Sequence, residues 1–166
     1  MGRVNTTRST PATVAAAVVT VVVVLAFTVG KAFVSIPGVW AAESHQISQI
    51  RLNPLQTFTY ARVWWGPWLN LFGNIALFIP VGFVAYRGSI VRALAAGTLF
   101  SLGIETAQYL GGWGYSDTDD VICNAAGALL GAVWARVSSQ SNTALWVIAA
   151  VGVVLLTVYA ALGLST

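Results

Sequence analysis

The sequence predicts an all-α fold: a polytopic integral membrane helical bundle of about five transmembrane helices. Three observations lead there. The chain is 57% hydrophobic and only 8% charged, whereas a water-facing domain carries about 25% charged residues. Its few charges divide it into uncharged runs close to the roughly 20 apolar residues that a bilayer span needs. Its β-branched run VVTVVVV would suit a strand in water, but in lipid an isolated strand leaves its backbone groups unpaired, so helix wins. Residues 1–166 are read as a single membrane domain.

The elements follow in chain order. Between Arg8 and Lys31 an uncharged run centred on AAAVVTVVVVLAFTVG predicts an N-terminal helix over 12–30. With Arg3 and Arg8 ahead of it, the segment resembles a signal peptide, but its apolar core is longer than the usual one and Lys31 follows directly. It is therefore read as a retained span. A loop of about forty residues comes next. Its latter half, IRLNPLQTFTYARVWWGPW, contains the helix breakers Pro54 and Pro67. Trp64, Trp65 and Trp68 suit an aromatic belt at the head-group level. This part is expected to lie in the interface, partly re-entrant.

WLNLFGNIALFIPVGFVAY, between Arg62 and Arg87, makes the second span. Pro80 and Gly82 are expected to kink it and open space beside Asn74. Ala93 to Gly112 makes the third, interrupted by Glu105, and Val121 to Ala135 the fourth. ALWVIAAVGVVLLTVYAALGL makes the fifth, a C-terminal helix over 144–163.

Lys and Arg orient the bundle. With the N-terminus inside, the cytoplasmic side receives Arg3, Arg8, Arg87, Arg92 and Arg136, and the long outer loop receives Lys31, Arg51 and Arg62. The short turns, where the positive-inside rule has most force, hold Arg87, Arg92 and Arg136. The expected topology is N-terminus cytoplasmic and C-terminus outside, in a plasma membrane. The net charge of +3 comes from scattered residues that form no basic stripe, so no nucleic-acid partner is expected; the partner is the lipid bilayer.

Three of the chain's five acidic residues crowd into DTDD, at the lip of the fourth span. Its apolar stretch is only fifteen residues long, roughly 22 Å of helix against a hydrocarbon core of about 30 Å. To cross, it must draw in Asp120 and Asp119, or thin the bilayer. Glu105 falls roughly 20 Å along the third span from Arg92, in the outer half. Gln108 shares its face, as Asn124 shares that of Asp120. Asn74 enters from the outer side too. Five polar side chains from three helices thus reach one depth: Asn74, Glu105, Gln108, Asp120 and Asn124. Ionisable groups in a bilayer are costly and face a cavity or a partner, so a polar, acidic pocket opening outward is expected.

Simpler roles stand beside that one. Asp117, Asp119 and Asp120 precede a helix and suit its N-terminus, and Asp117 is the best cap candidate. Glu105 can be a neutral carboxyl bonded to a neighbouring helix. Asn74, Gln108 and Asn124 suit interhelical hydrogen bonding, and Gly127 and Gly131 suit close helix packing. Cys123 is expected to pack, and His45, with no second histidine and no cysteine partner, makes a poor zinc site.

At these residues the chain resembles the VanZ-like family. NIALFIPVGF, RLNPLQTF, IETAQ and DTDDVICNAAGALLG resemble four of its blocks, in order, across about 53–136. One departure is the missing arginine just before the aspartates; Arg51 or Arg62 of the outer loop could stand in for it. The resemblance implies a polytopic bacterial membrane protein linked to glycopeptide antibiotics, teicoplanin especially, whose founding member confers resistance.

Two kinds of function are expected to compete. In the first, the pocket binds or acts on a cell-envelope ligand, a lipid-linked cell-wall intermediate or a glycopeptide-related one. Glu105 and Asp120 are then candidate acid and base, or, with Asn124, candidate ligands for Mg²⁺ or Mn²⁺. Asn74, Gln108, Asp117, Asp119, Asn124, Arg51 and Arg62 complete the candidate pocket. In the second, the protein is a non-catalytic scaffold or binding subunit. A small proton-coupled transporter is less favoured, since no inverted repeat is evident.

Overall fold

The computed structural model describes residues 10–54, 56–59 and 63–165. Arg62, one of the candidate pocket residues, lies outside them. Among the described residues five helices are long and apolar enough to cross a membrane, in an all-helical bundle. They are α1 (Thr10–Phe27), α3 (Gly66–Ala85), α4 (Ile90–Gly111), α5 (Thr118–Val137) and α6 (Asn142–Gly163), with a short α2 (Gln56–Thr59) ahead of α3. Two 3₁₀ turns, Val29–Ala32 and Ala42–His45, follow α1.

Local chemistry sets the boundaries. Pro67 sits in the first turn of α3, where its missing N–H costs nothing. Ser89 caps α4 by accepting from Arg92 N–H, and Ser141 caps α6 through Ala144 N–H. Gly112 closes α4 in the left-handed conformation at φ 67°, where glycine pays no Cβ penalty. Asp117 caps α5: its Oδ1 accepts from Asp119 N–H at 3.0 Å. Asp119 and Asp120 therefore fall inside the first turn of α5, which reaches 20 residues.

The bundle is built on the α3–α5 pair. Any Cβ added at Gly131 would lie 1.9 Å from the Ile79 carbonyl oxygen, and one at Gly127 would lie 2.2 Å from that of Ile75. Backbone meets backbone along this seam, and the G-x-x-x-G spacing is what allows it. Gly82 takes part: a Cβ there would lie 1.9 Å from the Ala128 carbonyl oxygen. α3 runs from Gly66 to Ala85 with Pro80 inside it, and the room left by Gly82 is filled by α5. α4 packs on the same pair, while α1 pairs with α6.

One feature has no counterpart in the sequence reading. The outer loop contributes a strand, β1 (Ser48–Arg51), which pairs in parallel with β2 (Gly114–Asp117), the turn between α4 and α5. The register sets Ser48 beside Gly114 and Arg51 beside Asp117. This two-stranded ribbon covers the end of the bundle where α5 begins. Arg87, Arg92 and Arg136 lie at the opposite end, by the alternation of the helices.

Candidate functional site

Asp120 is the centre of the polar end. It stands in the first turn of α5, and two amides from α3 converge on it. Asn70 Nδ2–H and Asn74 Nδ2–H each donate to Asp120 Oδ1 at 2.6 Å. The two asparagines are one helical turn apart and so share a face. Charge-assisted bonds of this kind are short and strong, and they leave Oδ2 of Asp120 without a donor among the described residues.

Glu105, on α4, is 5% exposed. Its Oε2 accepts from the backbone N–H of Asp117 at 2.8 Å, with the Ser116 side chain close by. The bond ties α4 to the residue that caps α5. Glu105 is thus a positioning group for the acidic turn as well as a buried carboxyl. It also lies within electrostatic range of Asp120.

One turn deeper, Asn124 Nδ2–H donates to Ser101 Oγ at 2.9 Å. Asn124 is 1% exposed, and its Oδ1 has no hydrogen-bond partner among the described residues. Gln108 is buried, with its Nε2 against the Gly114 backbone, where an added Cβ would come within 2.8 Å. Asn74, Glu105, Gln108, Asp120 and Asn124 therefore do come from three helices to one end of the bundle, each anchored by its own local contact.

Asp117 is buried and its side chain caps α5; Asp119 is half-buried beside it. Arg51 is placed elsewhere. Its guanidinium lies 3.5 Å from the Tyr115 ring centroid, a cation–π contact. There it borders an open depression with Glu43, Ser44, His45 and Tyr115. That depression is lined by none of Glu105, Asp120 and Asn124. Among the described residues no three His, Cys, Asp or Glu side chains are grouped to hold a metal ion. A divalent cation on Glu105 and Asp120 would have to draw on amide oxygen as well, such as that of Asn124. Cys123 is buried, as packing requires.

Three residues of the site were not singled out by sequence. Asn70 has a readable signal, since it precedes Asn74 by four positions. Ser101 stands in the same relation to Glu105. Lys31, read only as a topology marker, sits in the 3₁₀ turn after α1, and its charge acts on both Asp120 and Glu105.

No curated protein and no solved structure matches this chain. The VanZ/LLP1 family model does match, over residues 17–139, from within α1 to just beyond α5. That stretch holds the whole asparagine–aspartate cluster, and by it the chain belongs to the VanZ-like family.

Proposed function

We propose that this is a bacterial plasma-membrane protein, N-terminus inside and C-terminus outside, whose acidic pocket opens to the outer face. The pocket binds a cell-envelope ligand, lipid-linked or glycopeptide-related, and the protein contributes to glycopeptide resistance, teicoplanin being the compound to test. The observation that carries this reading is Asp120. Two asparagines fix one of its oxygens and, among the described residues, no donor meets the other, within electrostatic range of Glu105 and Lys31, in a segment where an unused charge would be selected against by its insertion cost. The clustering of Arg87, Arg92 and Arg136 at the far end supports the orientation.

A fixed carboxylate oxygen suits ligand recognition, and it equally suits a general base aimed at a bound substrate. The non-catalytic scaffold reading draws its support from Glu105 and Asp117, whose carboxyls are engaged in bracing and capping α5.

The test is Asp120→Asn in a glycopeptide-susceptible bacterial host. The wild-type chain should raise the teicoplanin concentration needed to stop growth several-fold. The variant should lose most of that protection while its detergent melting curve stays close to wild type. Full protection by the variant would exclude the pocket, and no protection by the wild-type chain would exclude the resistance role. Orientation is read separately. A Cys123→Ala, Ser116→Cys chain should react with a membrane-impermeant maleimide in intact cells; labelling only after permeabilisation would reverse the topology.

A further inference from the structure

The depression beside the ribbon is lined by charged groups whose hydrogen-bonding capacity the fold leaves unused. Gln49 stands opposite Tyr115 in the register, so Arg51, two positions on, shares a face of the ribbon with that ring. The guanidinium carbon lies over the ring, 3.5 Å from its centroid. Among the described residues the guanidinium has no hydrogen-bond acceptor and no carboxylate within the 4.0 Å of an ion pair. Its five N–H donors form a rigid planar fork. The contact with Tyr115 holds the fork without spending any of them.

Two acceptors line the same depression. Glu43 is exposed, and among the described residues its carboxylate has no donor and no ion pair. His45 is set as an acceptor by its neighbours. Ser44 Oγ–H donates to the Ala41 carbonyl at 2.7 Å, which leaves Ser44 Oγ free only to accept. His45 Nδ1 lies 3.1 Å from Ser44 Oγ and 3.1 Å from the Ala41 carbonyl oxygen. The ring proton therefore sits on Nδ1, and Nε2 of the neutral ring keeps its lone pair. The walls are fixed. Ile47 carbonyl accepts from Gly114 N–H at 3.2 Å, Gln46 Nε2–H donates to the Ala32 carbonyl at 3.0 Å, and Arg51 carbonyl accepts from Thr118 Oγ–H at 3.2 Å.

The depression has a volume of about 650 Å³, within the range of small-molecule sites. Its charges narrow the class of ligand. A metal cation would meet Arg51 as repulsion, and a phosphate would meet Glu43 in the same way. The complement carries acceptor oxygens for the fork and N–H donors for Glu43 and His45. A carboxylate meets a guanidinium through two parallel bonds, and an ammonium supplies three donors. An α-amino acid is the smallest molecule that carries both.

We propose that this depression binds an α-amino carboxylate group, the carboxylate on Arg51 and the ammonium on Glu43 and His45. None of Glu105, Asp120 and Asn124 lines it, so the inference does not rest on the Asp120 reading.

The experiment uses His45, the chain's single histidine. The full chain is labelled with ¹⁵N-histidine, purified in a maltoside detergent and kept at about pH 7.5, above the ordinary histidine pKa. It is titrated with L-serine, N-acetyl-L-serine, ethanolamine, inorganic phosphate and dihexanoyl phosphatidylserine, and the two ring ¹⁵N signals are followed. L-Serine should move the Nε2 signal to saturation. N-Acetyl-L-serine lacks the ammonium and ethanolamine lacks the carboxylate, so each should need about tenfold more, the loss of a charged hydrogen bond. Phosphate should move nothing in the same range. A response to N-acetyl-L-serine or ethanolamine equal to that of L-serine would overturn the two-ended ligand, and an equal response to phosphate would overturn the carboxylate. No response to L-serine or to the serine lipid would overturn the site. These outcomes are read on the wild-type chain, so they stand even if a variant fails to fold. A serine lipid that acts at lower concentration than L-serine upholds the class and assigns its source to the bilayer; a weaker lipid assigns it to a free amino acid. Arg51→Gln should weaken the L-serine response by about tenfold or more. Arg51→Lys, which keeps the charge and loses the fork, should fall between. Asp120→Asn should leave the response unchanged. If Asp120→Asn abolishes it and Arg51→Gln does not, the amino acid binds in the Asp120 pocket and the depression is excluded.

Discussion

The α3–α5 pair and the α1–α6 pair are both apolar helix pairs, yet they are joined by different means. Along α3–α5, Gly82, Gly127 and Gly131 bring backbone against backbone, and the same two helices carry Asn70, Asn74, Asp120 and Asn124 at one end. The α1–α6 pair meets through side chains: Ala12, Ala16 and Leu145 share a core cluster, and Gly152 faces the Val19 side chain. Only 17% of the α6 span is buried inside the protein, against 39% of the α5 span, so α6 turns mostly to lipid. The difference teaches where precision is needed. Asp120 can be gripped by two amides of α3 only if α5 is held at a fixed height and distance. The glycine seam supplies that, and the side-chain seam has no such task.

The comparison breaks first at Gly131. Gly131→Ala puts a methyl group on the Ile79 carbonyl, which is backbone and cannot turn away. It should cost about 3 kcal/mol or more, at the upper end of overpacking, and the protein should fail to accumulate or melt far below wild type. Gly152→Ala meets the Val19 Cγ1 at 2.3 Å and the Val23 Cγ2 at 3.4 Å, side-chain atoms that a small shift of α1 against α6 can relieve, and should cost roughly 1 kcal/mol. Gly73→Ala on α3 has none of the described residues within 4 Å of the new Cβ and should be neutral or stabilising by up to about 1 kcal/mol. Detergent melting curves give all three. Equal losses at Gly131 and Gly152 would remove the distinction between the two seams.

The grip on Asp120 comes next. Asn70→Ala and Asn74→Ala each remove one of the two donors to Oδ1. Each should cost about 1.5–3 kcal/mol, the range for a hydrogen bond to a charged group. The pair should be non-additive, because the second donor acts on an oxygen already freed by the first change. A double-mutant cycle in the melting temperature, and in teicoplanin protection if the proposed role holds, measures the coupling. Strict additivity would mean that the two amides do not act as one clamp.

The spans were legible because charge is so sparse that Arg8, Lys31, Arg62, Arg87, Arg92 and Arg136 mark their ends. The convergence of Asn74, Glu105 and Asp120 was legible because helical rise converts sequence position into depth. Partners within that depth were less so. Asn70 and Ser101 carry a four-residue signal, but pairing across helices depends on rotation about the helix axis, which the weakly patterned α3 and α5 do not specify. Lys31 was hidden by its value as a topology marker. The ribbon was hidden for another reason. SQIR and GYSD are four-residue segments with no apolar alternation, far apart in sequence, and nothing local demands that they pair.

The smallest effect is expected in the cover over the polar end, which neither seam holds. His45 closes the second 3₁₀ turn, its Nδ1 lying 3.1 Å from the Ala41 carbonyl oxygen and 3.1 Å from Ser44 Oγ. Burial is the main influence and holds its pKa below the ordinary 6.5; the Ala41 carbonyl works against the shift and the Lys31 charge adds to it. The sign follows from proton counting. A folded-state pKa below the unfolded one means that the unfolded loop takes up a proton first as pH falls, so stability is complete above pH 6.5 and declines below it. Between about pH 7.5 and pH 5.5, amide exchange in residues 42–51 should quicken, after correction for the intrinsic pH dependence of exchange. Residues of the α3–α5 seam should not follow, and His45→Gln should flatten the response in the loop. Equal quickening in both regions would show that the cover and the seam open as one unit, and the contrast between a rigid grip and a loose lid would then have to be given up.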